Sequence, residues 1–140
     1  MRRFLTVFPL VVAAVVVGSL AVPMGEFVEL GTVDADGNGY RSEVWMVEVD
    51  GVPYLRSGWP DSHWLDRLRA TPRVEIERDG HTRLYRAVVV DDATVRDAVN
   101  RAMAAKYGVA DWLIRRAVDM EASVPVRLEP VEGLGGPREH

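Results

Sequence analysis

The chain opens Met1-Arg2-Arg3 and then carries no charge from Phe4 to Met24, an apolar run interrupted only by Thr6, Pro9, Gly18, Ser19 and Pro23. A basic start before a long apolar stretch is the pattern of an export signal or a membrane anchor. At about 1.5 Å per residue, a helix of roughly 20 residues spans the hydrocarbon core of a bilayer. The run is longer than an ordinary signal core of roughly 7–15 residues, which favours an uncleaved anchor. Ser19-Leu20-Ala21 nevertheless offers the small residues a cleavage site requires. Arg2 and Arg3 hold the N-terminal side in the cytoplasm. The expected arrangement is a signal anchor or signal peptide over residues 1–24, with the body anchored at the inner membrane outside the cytoplasm, or exported.

After residue 24 the pattern shortens to strands punctuated by turns. Alternation predicts a first strand over 27–33 and a second over 41–49, with Trp45, Val47 and Val49 on one face and Val44 and Met46 on the other. Asp50-Gly51 and Asp79-Gly80 are two-residue connections that favour primed hairpin turns. They pair the second strand with 52–57, and 73–78 with 82–90. Between the hairpins, residues 60–70 read as a helix capped by Asp61 or Ser62, with Trp64, Leu65 and Leu68 inward and Thr71-Pro72 ending it. Asp91-Asp92 begins a longer helix whose Val95, Ala98, Val99, Ala102, Met103 and Lys106 share one face, and Gly108 stops it. A shorter helix over 111–120 and a closing strand over 123–130 complete the body at 25–131. Residues 132–140, with Gly133-Leu134-Gly135-Gly136-Pro137, read as a flexible tail. The fold class is mainly β with α (α+β), arranged as a six-stranded antiparallel barrel with inserted helices. A two-layer α+β sandwich is the alternative.

Composition narrows the chemistry. The chain has no cysteine, which excludes thiolate metal sites, a cysteine nucleophile and haem attached through cysteines. Acidic residues number 21 against 17 basic ones, two of which are Arg2 and Arg3, so no basic face for nucleic acid is indicated. His63, His81 and His140 are scattered without metal spacing, and no G-x-S-x-G or H-E-x-x-H occurs.

The stretch VEVDGVPYLRSGWPDSHWLDRLRATPRV, residues 47–74, resembles the split β-barrel superfamily of flavin- and deazaflavin-binding proteins, and most of all its deazaflavin-dependent nitroreductase branch. Asp50-Gly51, Tyr54-Leu55-Arg56-Ser57-Gly58, Trp64, Leu68 and Ala70-Thr71-Pro72-Arg73-Val74 carry the resemblance, which extends over residues 27–130. It implies a six-stranded split barrel, a deazaflavin or FMN cofactor and a homodimer with cofactor sites at its interface. The cofactor carries the redox chemistry and the protein orients it. By this resemblance Arg56 and Ser57 hold a phosphate or ribityl chain, Gly58 permits close approach, and Trp59 and Trp64 wall the ring. Arg41 and Ser42 are what remains of the family's basic, glycine-rich loop, in which Asp34 and Asp36 stand where cations are usual. A guanidinium is in any case a bidentate phosphate partner.

The same loop, Asp34-x-Asp36-x-Asn38-Gly39, repeats the first half of a calcium loop, but Trp45 occupies the position of the bidentate glutamate. The plain alternative is an Asp/Asn/Gly hairpin turn. Two functional readings follow: a flavin- or deazaflavin-dependent oxidoreductase with a membrane or export leader, or a non-enzymatic envelope module that kept the barrel and lost the cofactor. The topology is testable with C-terminal reporters. A reporter that works only outside the cytoplasm should be active and a cytoplasm-only reporter silent; the reverse result contradicts the reading of the leader.

Overall fold

Trp45 alone separates two strands that lie at opposite edges of one sheet. The computed structural model describes residues 25–131. Its strands are β1 (Val28–Val33), β2 (Gly39–Val44), β3 (Met46–Val49), β4 (Val52–Ser57), β5 (Arg73–Arg78), β6 (His81–Val89) and β7 (Val124–Pro130). They form a single sheet in the order β2-β1-β5-β6-β7-β4-β3, antiparallel at each step. Cα atoms two residues apart are within about 7 Å. The edges β2 and β3 must therefore meet at Trp45, and the sheet curls into a barrel split along the rest of that seam. The expected continuous strand over 41–49 is broken here because its two halves change partner: β2 pairs with β1, and β3 with β4. Seven strands replace six for the same reason.

Both two-residue turns form as expected. Asp50 and Gly51 have φ of 54° and 80°, and Asp79 and Gly80 have 54° and 79°. Positive φ at both positions marks the primed turn that matches strand twist, and the glycine tolerates it without strain.

The helices are α1 (His63–Ala70), α2 (Ala93–Tyr107) and α3 (Val109–Arg115), followed by a 3₁₀ turn at Met120–Ala122. α1 inserts Leu65 and Leu68 among Val28, Leu30, Leu55, Val74, Ile76, Tyr85, Val126 and Leu128, all buried, and so fills the barrel. Ser62 stands at its N-cap position but makes no capping bond, because its hydroxyl turns to Ser57 at 2.8 Å. α2 is capped as expected, the Asp92 carboxylate accepting from the Thr94 and Val95 N–H groups at 2.8 and 3.2 Å. It packs outside the barrel, where Val99, Met103 and Tyr107 meet Val47 and Tyr54 in a second core. The helix expected over 111–120 starts earlier and ends sooner. Gly108, at φ 55°, closes α2 and opens α3 directly. The chain then tightens after Arg115 to reach β7 through the Asp119-capped turn.

The leader over residues 1–24 and the tail over 132–140 lie outside the described residues. Among those described, no helix is long and apolar enough to cross a membrane.

Glu26, at the entry to the domain, is held by Arg78 at 2.7 Å and Lys106 at 2.9 Å. The Arg78 hydrogen bond, then that of Lys106, keeps the Glu26 carboxyl below its ordinary pKa. The unfolded chain therefore binds this proton at a higher pH than the folded one. The pair's contribution is complete above the ordinary carboxylate pKa and disappears as pH falls through the lowered value. The melting-temperature gap between parent and Glu26→Gln should thus be widest at neutral pH and shrink on acidification. A gap independent of pH would contradict this coupling.

Candidate functional site at the end of β4

Along β4 the side chains alternate, with Leu55 and Ser57 pointing into the barrel and Tyr54 and Arg56 toward the helices outside. Arg56 enters a closed polar cluster, its side chain only 4% exposed. Nη2 donates to Asp111 Oδ1 at 2.8 Å and Nη1 to Asn100 Oδ1 at 3.2 Å, while the guanidinium carbon lies 5.8 Å from the centre of the Trp45 ring. Asn100 is fixed in turn by donating to Met120 O and Ser123 Oγ, both at 3.3 Å. Asp111 is fully buried on α3, and its Oδ2 lies 3.0 Å from Arg115 Nε, an ion pair without hydrogen-bond alignment. The Arg115 side chain is 43% exposed, and its terminal amino groups form no other bond among the described residues. Two guanidiniums thus share one carboxylate, leaving the cluster a net positive charge that faces outward through Arg115.

Ser57 is buried at the strand end, where its Oγ accepts from the Trp59 N–H at 3.3 Å and contacts the Ser62 hydroxyl. Gly58 packs against Val118, and a Cβ added there would meet Val118 Cγ1 at 3.5 Å, an ordinary contact, so the position does not demand glycine. Trp59 projects into solvent, 58% exposed. Trp64 packs against the barrel core from the first turn of α1. On β2, Arg41 is paired with Glu29 at 3.0 Å and Glu77 at 3.8 Å, and Ser42 lies half-buried opposite Leu30. The seven expected residues therefore separate into two groups. Arg56, Ser57, Gly58 and Trp59 run along one lip, with Trp64 in the helix that follows, while Arg41 and Ser42 stand on the opposite edge strand. A surface groove of about 490 Å³ lies toward that edge, lined by Gly31, Gly39, Arg41, Arg73, Glu75 and Leu84 among others, and it includes none of the lip residues.

Arg56 does not stand free for a phosphate as the family resemblance implied. One amino group already donates to Asp111 Oδ1 and the other to Asn100 Oδ1. Asp111, Asn100, Ser123 and Arg115 were absent from the sequence-derived site, since Asp111 reaches Arg56 across 55 positions and nothing in local spacing marks the pair. The sole local hint is the i,i+4 pair Asp111–Arg115.

The acidic loop is a self-contained turn. Asp34 Oδ1 accepts from the N–H groups of Asp36 and Asn38, both at 2.9 Å, and Oδ2 accepts from Asn38 Nδ2 at 3.2 Å and Tyr40 OH at 3.1 Å. The Asn38 N–H, first among these, lowers the Asp34 pKa, and the bond to Asp34 raises that of Tyr40. Its oxygens serve the turn, and among the described residues no three carboxylate or imidazole groups come together to hold a metal. These bonds are those of the Asp/Asn/Gly hairpin turn that is the plain alternative above.

No family model and no curated protein matches the chain. Solved structures do match. The conserved hypothetical protein Rv2991 from Mycobacterium tuberculosis is similar at 18% identity and a TM-score of 0.60, over 76% of this chain and 73% of that one. HutZ, the heme storage protein from Vibrio cholerae, is similar at 21% and 0.61, over 76% and 82%. A protein named F420 reductase is similar at 16% and 0.52, over 79% and 90%. At these identities the likeness is one of fold, and the chain has the split-barrel fold that its residues suggested.

Breaking a buried pair leaves an unpaired charge and costs about 3–5 kcal/mol, whereas replacing both partners with apolar groups is often neutral. Arg56→Ala should lose stability of that order in urea unfolding, and Arg56→Met combined with Asp111→Leu should recover most of it. A single variant within about 1 kcal/mol of the parent, the range of exposed pairs, would contradict the buried pairing.

Proposed function

We propose that the domain binds a planar, phosphate-bearing cofactor of the deazaflavin or FMN type at the lip formed by Ser57, Gly58, Trp59 and Arg115, and serves as an oxidoreductase module outside the cytoplasm. The observation that carries this reading is the Arg56–Asp111–Arg115 cluster. It puts a net positive charge at the end of β4, three positions before the exposed Trp59 in the chain, and its outer guanidinium has amino groups to spare. The similar fold of the protein named F420 reductase supports the class of cofactor. The uncharged run after Arg2-Arg3 supports the location.

The residues fit such a ligand with one change of role. Arg56 positions α3 by holding Asp111, and Arg115 takes the ligand's anionic group as a charge-assisted hydrogen-bond donor. Trp59 offers its ring face for stacking, a contact favourable for any extended aromatic system. Ser57 shapes the loop by accepting from the Trp59 N–H. The bound cofactor would supply the electron or hydride transfer; the chain's part is to bind and orient it.

Absorbance titrations of the full chain in detergent micelles with FMN and with a deazaflavin coenzyme test this. A charge-assisted bond is worth roughly 1.5–3 kcal/mol, so Arg115→Gln should weaken binding about 10- to 150-fold. Asn at both Asp34 and Asp36 should leave affinity unchanged. Binding unaffected by Arg115→Gln contradicts the assigned lip. No binding of either cofactor contradicts the function and favours a barrel without cofactor.

A further inference from the structure

α3 is built inside out. Its buried positions are Ala110 and Asp111, while Val109, Trp112 and Leu113 face solvent at 62%, 49% and 36% exposure. Positions 109, 112, 113 and 116 follow i, i+3, i+4 and i+7, one stripe of a helix. Arg116 completes it, its guanidinium 4.8 Å from the Trp112 ring centre. A surface helix normally turns such a stripe toward the core. Here the core side is taken by the charge that pairs with Arg56, and the apolar side is left outward. An exposed patch of this kind marks an interaction surface.

Its place in the fold says which surface. Gly25, the first described residue, lies against the Tyr107 ring so closely that a Cβ there would fall 2.4 Å from Cδ1. The Tyr107 hydroxyl donates to Glu26 O at 2.7 Å, and Lys106 bonds both Glu26 and Met46 O. Gly25, which follows the uncharged run in sequence, is therefore pinned against Tyr107, two positions before Val109, the start of α3. The described chain thus begins next to the helix that carries the stripe. Arg115 and Arg116 border it, and no acidic side chain belongs to it. Apolar residues with a tryptophan and flanking arginines suit the boundary between acyl chains and anionic headgroups.

We propose that the Val109–Trp112–Leu113–Arg116 stripe rests on an anionic lipid surface, laying the domain against the membrane that its leader addresses. The inference rests on the leader reading, and the test separates the two. The chain's four tryptophans are Trp45, Trp59, Trp64 and Trp112, so the leader contributes no emission of this kind. Full chain is added to phosphatidylcholine vesicles with or without phosphatidylglycerol, each carrying brominated acyl chains that quench nearby indoles. Quenching should be stronger with phosphatidylglycerol, be mostly lost in Trp112→Phe and persist in Trp59→Phe. Arg116→Gln should remove part of the phosphatidylglycerol dependence. A chain that floats with vesicles but is not quenched, or is quenched through Trp59, overturns the docking while leaving the leader reading intact. A chain that does not float overturns both. Unquenched protein that cross-links to a second copy through a cysteine placed at Leu113 overturns the docking in favour of a dimer.

Discussion

Trp45 is the residue on which the geometry of the domain turns. As the sole link between the two sheet edges, it sets where the barrel closes. Its indole stacks on Tyr107 at 4.1 Å with the rings 12° from parallel, meets Phe27 at 6.4 Å, and faces the Arg56 guanidinium. Tyr107 in turn binds Glu26 and Met46. Closure of the sheet, seating of α2, entry of the chain and orientation of Arg56 are thus coupled through one aromatic stack. Such stacks contribute roughly 0.5–1.5 kcal/mol beyond the area they bury. The positional constraint matters more than that energy.

From this corner the electrostatics follow. Arg56 emerges on the outer face of β4 and would be costly to bury alone, so Asp111 is drawn into the core to meet it. That commitment sets how α3 lies, exposes its apolar stripe and leaves Arg115 as the cation directed outward. Two features with different chemistry thus arise from one buried pair: an outward cation at Arg115 and an apolar, arginine-edged stripe. A hydrophobic residue at position 111 would relieve the desolvation cost, but it would release Arg115 and Arg56 from the carboxylate that spaces them.

Much of the fold was legible because it is local. Alternation located the strands, Asp-Gly pairs located both primed turns, and Asp92 located the cap of α2. The break at Trp45 was not legible. Alternation runs through it uninterrupted, and only a change of strand partner, a tertiary event, divides it. The site was legible in part. Residues 56–59 do lie together because they are neighbours in sequence, but Arg56's partner stands 55 positions away. Arg41 and Ser42, grouped with them by resemblance, are placed by their pairing with β1 on the other edge. The acidic loop resembled a cation site in composition, while its hydrogen bonds show the carboxylate serving its own turn.

The central claim is a division of labour between two arginines, Arg56 holding the fold and Arg115 meeting the ligand. Guanidinium NMR of the ¹⁵N-arginine-labelled chain, followed through a cofactor titration, tests it directly. The Arg56 signal, assigned with Arg56→Lys, should exchange slowly and stay in place while that of Arg115 shifts. A shift of Arg56 on binding, with Arg115 unmoved, would show the ligand displacing Asp111 and would contradict it.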